Sequence, residues 1–207
     1  MRAHWPIAML TLAATSLLVP TTARAAASYP NQKEGDFVAR DFKFQAGDVL
    51  PEVRLHYTTV GTLQRDGSGR ATNAVLLLHG TTGTGKNFLN PTLAGELFGP
   101  GQVLDASKYY VIMPDGLGRG GSSKPSDGLH AKFPRYGYND VVEAQHVLVT
   151  KGLGVDHLRA VVGTSMGGMQ TWMWGERWPG MMDALMPIAS QPIQISGRNL
   201  IWRRMVA

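Results

Sequence analysis

Gly163-Thr164-Ser165-Met166-Gly167 forms a G-x-S-x-G pattern. The run Leu158–Val162 before it is apolar and β-like. Met166–Trp178 after it is helix-like and is stopped by Pro179-Gly180. That context makes the pattern a nucleophile elbow, with the serine on a sharp turn between strand and helix. Side chains at 163 and 167 would collide across such a turn, so glycine fits there. The turn exposes the Ser165 hydroxyl at the tip of the sheet. It also aims the first N–H groups of the helix at charge developing beside it. A serine hydroxyl is weak at neutral pH and needs a base to take its proton. The chemistry that suits it is acyl transfer through an ester intermediate. The oxyanion on that path needs donors already in place. The Met166 N–H is one. The loop opened by His79-Gly80-Thr81 supplies the other, at the Thr81 N–H.

The partners of this serine are harder to find. An elbow serine is followed in the chain by its acid and then its histidine. All six histidines (His4, His56, His79, His130, His146 and His157) precede Ser165. The acids after it are only Glu176 and Asp183. Glu176 lies on the helix straight after the elbow and Asp183 precedes the next strand, so neither suits an orienting acid. No triad in the usual order fits within residues 1–207. His146 and His157 read as surface or core residues. His79, near the site, reads as a support of the oxyanion loop, and is the first to test should a base be present.

A rival chemistry is written in the same region. Gly80-Thr-Thr-Gly-Thr-Gly85-Lys86-Asn87 nearly matches the phosphate-cradling loop G-x-x-x-x-G-K-[ST], and it follows a strand-like run. Val111–Asp115 resembles the strand and aspartate of a nucleotidase. Against this, Asn87 stands where a hydroxyl should bind magnesium. A P-loop nucleotidase is therefore the weaker alternative.

The elements that must position these groups alternate in type. Asp36–Phe44 and Val53–Thr59 read as strands with a turn near Gly47-Asp48. Ala74–Leu78 and Tyr109–Met113 are short apolar runs of the kind buried on both faces of a sheet. Asn87–Phe98 is loosely helical, and Asn139–Lys151 is an amphipathic helix ended by Gly152 and Gly154. Ala184–Ala189 is a last strand. This predicts an α/β fold, a mostly parallel sheet with helices on both faces. Ligands bind such sheets at the carboxyl ends of the strands. The loops Gly80–Asn87 and Pro114–Pro125 and the elbow all fall there.

The chain has 207 residues, 43% hydrophobic and 17% charged, which bounds it to one globular domain with a real core. It has no cysteine, which excludes a disulfide framework, a thiolate metal site and a cysteine nucleophile. No metal-ligand cluster is visible, so no cofactor is expected. The net charge is +5, and the only basic cluster is Arg198, Arg203 and Arg204, so nucleic acid is not an expected partner. Residues 1–25 read as a signal peptide: Arg2, an apolar core over Ile7–Val19, then Ala23-Arg24-Ala25, with cleavage after Ala25 or Ala27. The core is short for a membrane span, which makes an uncleaved anchor the weaker alternative. Its removal takes away Arg2 and Arg24, leaving +3. A linker over 26–35 and a domain over 36–207 follow. The expected location is periplasmic or extracellular, with no stable membrane insertion.

Taken together the residues resemble the α/β-hydrolase superfamily and, within it, the homoserine O-acetyltransferase family. The carrying residues are His79-Gly80-Thr81-Thr82-Gly83, Pro114-Asp115-Gly-Leu-Gly-Arg-Gly-Gly-Ser122, Phe133-Pro134 with Asp140, and Gly163-Thr-Ser-Met-Gly-Gly-Met-Gln170. The resemblance covers about residues 36–190. It implies Ser165 as nucleophile and the Thr81 and Met166 amides as oxyanion donors. It also implies a longer chain, with a helical cap and two further strands that carry the aspartate and histidine. The expectation is an exported hydrolase or acyltransferase acting on a small acyl ester or acyl donor, catalytically incomplete as given, with its C-terminal strands missing and an exposed sheet edge. The alternative is a binding protein that keeps the fold without the chemistry.

Overall fold

The computed structural model describes residues 29–206. The leader expected over 1–25 lies outside the described residues. The elements run β1 (Lys33–Lys43), β2 (Val49–Val60), β3 (Ala74–Leu78), α1 (Pro91–Leu97), β4 (Tyr110–Pro114), α2 (Tyr138–Val147), β5 (Ala160–Thr164), α3 (Met166–Arg177), β6 (Leu185–Ile188) and α4 (Gly197–Val206).

One six-stranded sheet forms in the order β1-β2-β4-β3-β5-β6. β1 and β2 are an antiparallel hairpin, with Phe37 opposite Leu55 and Phe42 opposite Leu50. β2 joins β4 antiparallel, and β4, β3, β5 and β6 run parallel. The hairpin starts earlier than its sequence suggests. Lys33, Glu34 and Gly35 pair with Thr59, Thr58 and Tyr57, so part of the expected linker is strand. Lys33 and Glu34 are polar and exposed and Gly35 has no side chain, so only the long neighbouring strand gives their backbone a partner.

β3 is buried along its whole length because both of its faces are covered. Leu76, Leu78, Ile112 and Val161 face one layer with Val142 of α2 and Trp174 of α3. Val75, Leu77, Val111 and Met113 face the other with Phe88, Phe98 and Ala94 of α1. Helices thus lie on both faces, as expected. Each fully buried leucine contributes about 1.5–3 kcal/mol to holding β3 in the centre.

α3 is fixed by a polar bridge inside this apolar layer. The Trp174 indole N–H donates to Gln145 Oε1 (3.0 Å), and Gln145 Nε2 donates to Gln170 Oε1 (2.7 Å). At the end of α3 the His146 ring stacks on Trp178, with centroids 3.9 Å apart. α2 is shorter than the expected helix. It gives way after Val147 to a wider helical turn over Leu148–Gly152.

No local pattern announces α4, whose sequence stands out only by Arg198, Arg203 and Arg204. Its Ile201, Trp202 and Met205 are exposed, so its apolar residues mark no single buried face. Among the described residues β6 pairs only with β5, and its Met186 and Ile188 are exposed, an apolar edge of the expected kind. No helix of the described residues is long and apolar enough to cross a membrane.

Candidate active site

Ser165 stands between β5 and α3 with φ 53° and ψ −113°. A non-glycine residue at positive φ is strained, by about 1–3 kcal/mol. Two hydrogen bonds hold it there: its N–H donates to Ile188 O at 2.9 Å, and its carbonyl accepts from Met169 N at 3.1 Å. The flanking glycines allow close packing. A methyl at Gly163 would overlap the Gly167 carbonyl, and one at Gly167 would overlap the Leu78 carbonyl. β3, β5 and α3 therefore meet at a distance that only glycine permits. The Ser165 side is exposed to the cavity described below.

The loops after β3 and β4 are tied to one another behind the serine. His79 Nε2 accepts the Gly116 N–H at 2.9 Å, which leaves the proton on Nδ1, donated to Gly80 O at 2.8 Å. Burial lowers the affinity of this imidazole for a second proton. Both nitrogens are engaged, so His79 is a neutral strut for the loop that carries Thr81. It is not free to act as a base, in line with the supporting role expected of it.

Asp115 does the same from the other side. One carboxylate oxygen accepts Gly85 N (2.7 Å) and the other Gly121 N (2.8 Å), and its carbonyl accepts the Ser122 hydroxyl (2.8 Å). This geometry corrects the P-loop alternative. Gly85 N is held by Asp115, Thr84 N by Asn87 Oδ1 (2.6 Å), and Gly83 N by Gly80 O (3.0 Å), so those amides cannot cradle phosphate. Lys86 pairs with Glu34 at 2.9 Å, away from any cradle.

Thr81, Ser165 and Met166 line one cavity of about 460 Å³, together with Tyr138, Met169 and Ser190. No hydrogen bond among the described residues takes the N–H of Thr81 or of Met166. The first amides of a helix have no intrahelical acceptor, so the Met166 N–H is available to a ligand. The three residues singled out from sequence are therefore brought together.

A base is not among them. No histidine, aspartate or glutamate of the described residues lines this cavity. His157 is buried between Arg70 (2.8 Å) and Asp183 (2.8 Å). Asp183 precedes β6 while Ser165 follows β5, its parallel neighbour, so the two lie at opposite ends of the sheet. His56 pairs with Asp36 at 2.8 Å on the hairpin. Glu176 lines a second, neighbouring cavity.

Sequence reasoning passed over several residues of the site. Tyr138 carries no motif that separates it from helix surface, and Met169, inside the run Gly163–Gln170, has no role that local chemistry assigns. Ser190 Oγ is buried without a partner among the described residues, next to Ala189 at φ 50°. Asp115 stood within a quoted motif, but its two amide partners, 30 residues before and 6 after, are a tertiary matter.

Comparison with known proteins agrees with this architecture. A family model described as alpha/beta hydrolase fold matches residues 73–201. A homoserine O-acetyltransferase of Moorella thermoacetica is 36% identical over 171 residues, covering 73% of this chain and 44% of that protein. A probable acyltransferase of Methanothermobacter thermautotrophicus is 32% identical over 164 residues, 79% of this chain and 50% of the relative. Among solved structures, an acetylester hydrolase from Corynebacterium glutamicum superposes with a TM-score of 0.72 at 28% identity, over 84% of this chain and 48% of that one. The homoserine O-acetyltransferase of Bacillus anthracis gives 0.64 at 25% identity, over 79% and 48%. The chain spans about half the length of the curated relatives it matches. With its central sheet, its elbow and the matched family model in agreement, the chain belongs to the α/β-hydrolase fold family.

Proposed function

We propose that the chain carries the nucleophile and oxyanion site of a serine acyl-transfer enzyme acting on small esters. The observation that carries this reading is Ser165, held at φ 53° at the head of α3 in one cavity with Thr81 and Met166. In the reaction the Ser165 oxygen bonds to the acyl carbon and the carbonyl electron pair moves to oxygen. The Thr81 and Met166 N–H groups stabilise that oxyanion. The hydroxyl proton passes to a base, the pair returns as the bond to the leaving oxygen breaks, and the base gives its proton to that oxygen so that the alcohol leaves. Water or a second alcohol then takes the acyl group. Relatives named as acetyltransferase and acetylester hydrolase support the acyl-transfer class. The sequence of residues 1–25 supports an exported setting for this chemistry.

The cavity lining supplies no base, so acyl transfer by residues 1–207 is slow and added base should assist it. The test is mass spectrometry after exposure to p-nitrophenyl acetate, with and without imidazole. The expected result is an acetyl adduct on the Ser165 peptide that forms faster with imidazole and is absent in Ser165→Ala. Adducts spread over other residues, or none at all, would overturn the reading. The same cavity would serve a second reading, a binding protein on the same fold. It predicts ligand binding that Ser165→Ala leaves intact and no adduct.

A further inference from the structure

We propose that the apolar cavity beside the Ser165 site receives an unbranched hydrocarbon chain, so that the substrates are neutral esters with a chain longer than acetyl. The proposal rests on the acyl-transfer reading of Ser165. The cavity measures about 450 Å³ and shares Tyr138, Met169, Gln191 and Ile195 with the one that holds the nucleophile. The two spaces therefore adjoin, side by side along α3. Met169 stands one helical turn after Ser165 on α3. Trp172 and Met173 stand one turn further, so the space runs along the helix, away from the nucleophile. Ile193 and Leu200 close the opposite side, which puts α4 to use as a wall. Methionine and tryptophan give an apolar surface that adapts to a flexible chain.

The lining also says what the cavity rejects. Among the described residues no lysine or arginine faces it, and its one charged residue is Glu176. An acyl group ending in a carboxylate would find no counter-charge there and would be repelled by Glu176. A neutral alkyl chain loses nothing, and each methylene moved out of water strengthens binding about fourfold.

The experiment follows Ser165 adduct formation by mass spectrometry across p-nitrophenyl acetate, butanoate and hexanoate, with imidazole present. The rate is expected to rise about fourfold per added methylene. Leu200→Trp, which fills the space, and Ile193→Asp, which charges an exposed wall residue, should each flatten the series. In a second arm, ethyl, butyl and hexyl acetate compete with acetylation of Ser165. Protection that grows with alkyl length while the acyl series stays flat assigns the chain to the alcohol side, and also supports the proposal. Adducts that form equally fast at every length, with equal protection by all three acetates, overturn it. If no ester modifies Ser165, the acyl-transfer reading fails instead. Titration calorimetry of hexyl against ethyl acetate then decides the cavity: tighter hexyl binding upholds it and equal binding refutes it.

Discussion

His79 Nε2 accepts the backbone N–H of Gly116 at 2.9 Å, and this bond joins the loops at the ends of β3 and β4. It needs a neutral imidazole, because a protonated ring has no lone pair to offer. The Thr81 amide is carried on the loop that His79 holds, two residues further on.

That requirement sets a pH dependence. Burial holds His79 below the ordinary imidazole value of 6.5, and burial also lowers His146, stacked on Trp178. A group harder to protonate when folded contributes stability above its unfolded pKa. That contribution is lost as pH falls below it. Thermal melts are expected to shift downward from about pH 6.5 toward 5, and less so in His79→Gln. A flat profile across that range would contradict the neutral-strut assignment.

The Gly163 position is expected to tolerate no side chain. Its methyl would overlap the Gly167 carbonyl, and helix and strand backbones cannot both retreat. Gly163→Ala should cost about 3 kcal/mol or more, or prevent folding. Gly80→Ala is the contrast, since its nearest neighbours are Thr164 O at 3.6 Å and Ser165 Cβ at 3.7 Å. It should change stability by about 0.5 kcal/mol or less. Urea unfolding of both variants makes the comparison.

Ser165 pays for its position in backbone strain. Ser165→Gly should relieve that strain and raise stability by about 1 kcal/mol over Ser165→Ala, after allowance for the greater freedom of unfolded glycine. Both variants should lose the acetyl adduct. Equal stability of the two would show that φ 53° is not costly here.

Asp115 is expected to resist a conservative change. Each carboxylate oxygen accepts one amide, from Gly85 at 2.7 Å and Gly121 at 2.8 Å. Asparagine offers one acceptor, and its NH₂ group would face the other N–H. Asp115→Asn should destabilise by about 1.5–3 kcal/mol, measured by urea unfolding. It should also slow adduct formation by loosening the oxyanion loop. An unchanged unfolding midpoint would remove Asp115 from that role.

Much of the fold was legible because local signals agree with one another. Ala74–Leu78 is an apolar run bounded by turns, and it is the buried central strand. The elbow pentapeptide fixes a strand, a turn and a helix within a few residues, so Ser165 and Met166 are located by local chemistry alone. Thr81 follows from the loop that such an elbow requires. The start of β1 and the whole of α4 were not legible. Lys33–Gly35 are strand only because β2 lies beside them, and α4 has no continuous buried face to mark it.

The sequence by itself determined the chemistry of the elbow: a serine on a glycine-bounded turn between a strand and a helix. Tertiary structure decided what the remaining polar groups do with their hydrogen bonds. His79 reads from sequence as a loop support that could still be tested as a base, and only the engagement of both its nitrogens makes it a strut. The loop Gly80–Asn87 keeps a phosphate cradle as its weaker reading until Asp115 is found holding the Gly85 amide. The reason is physical. A backbone N–H has a single proton to donate, and which acceptor receives it depends on residues far away in the chain that folding brings within 3 Å.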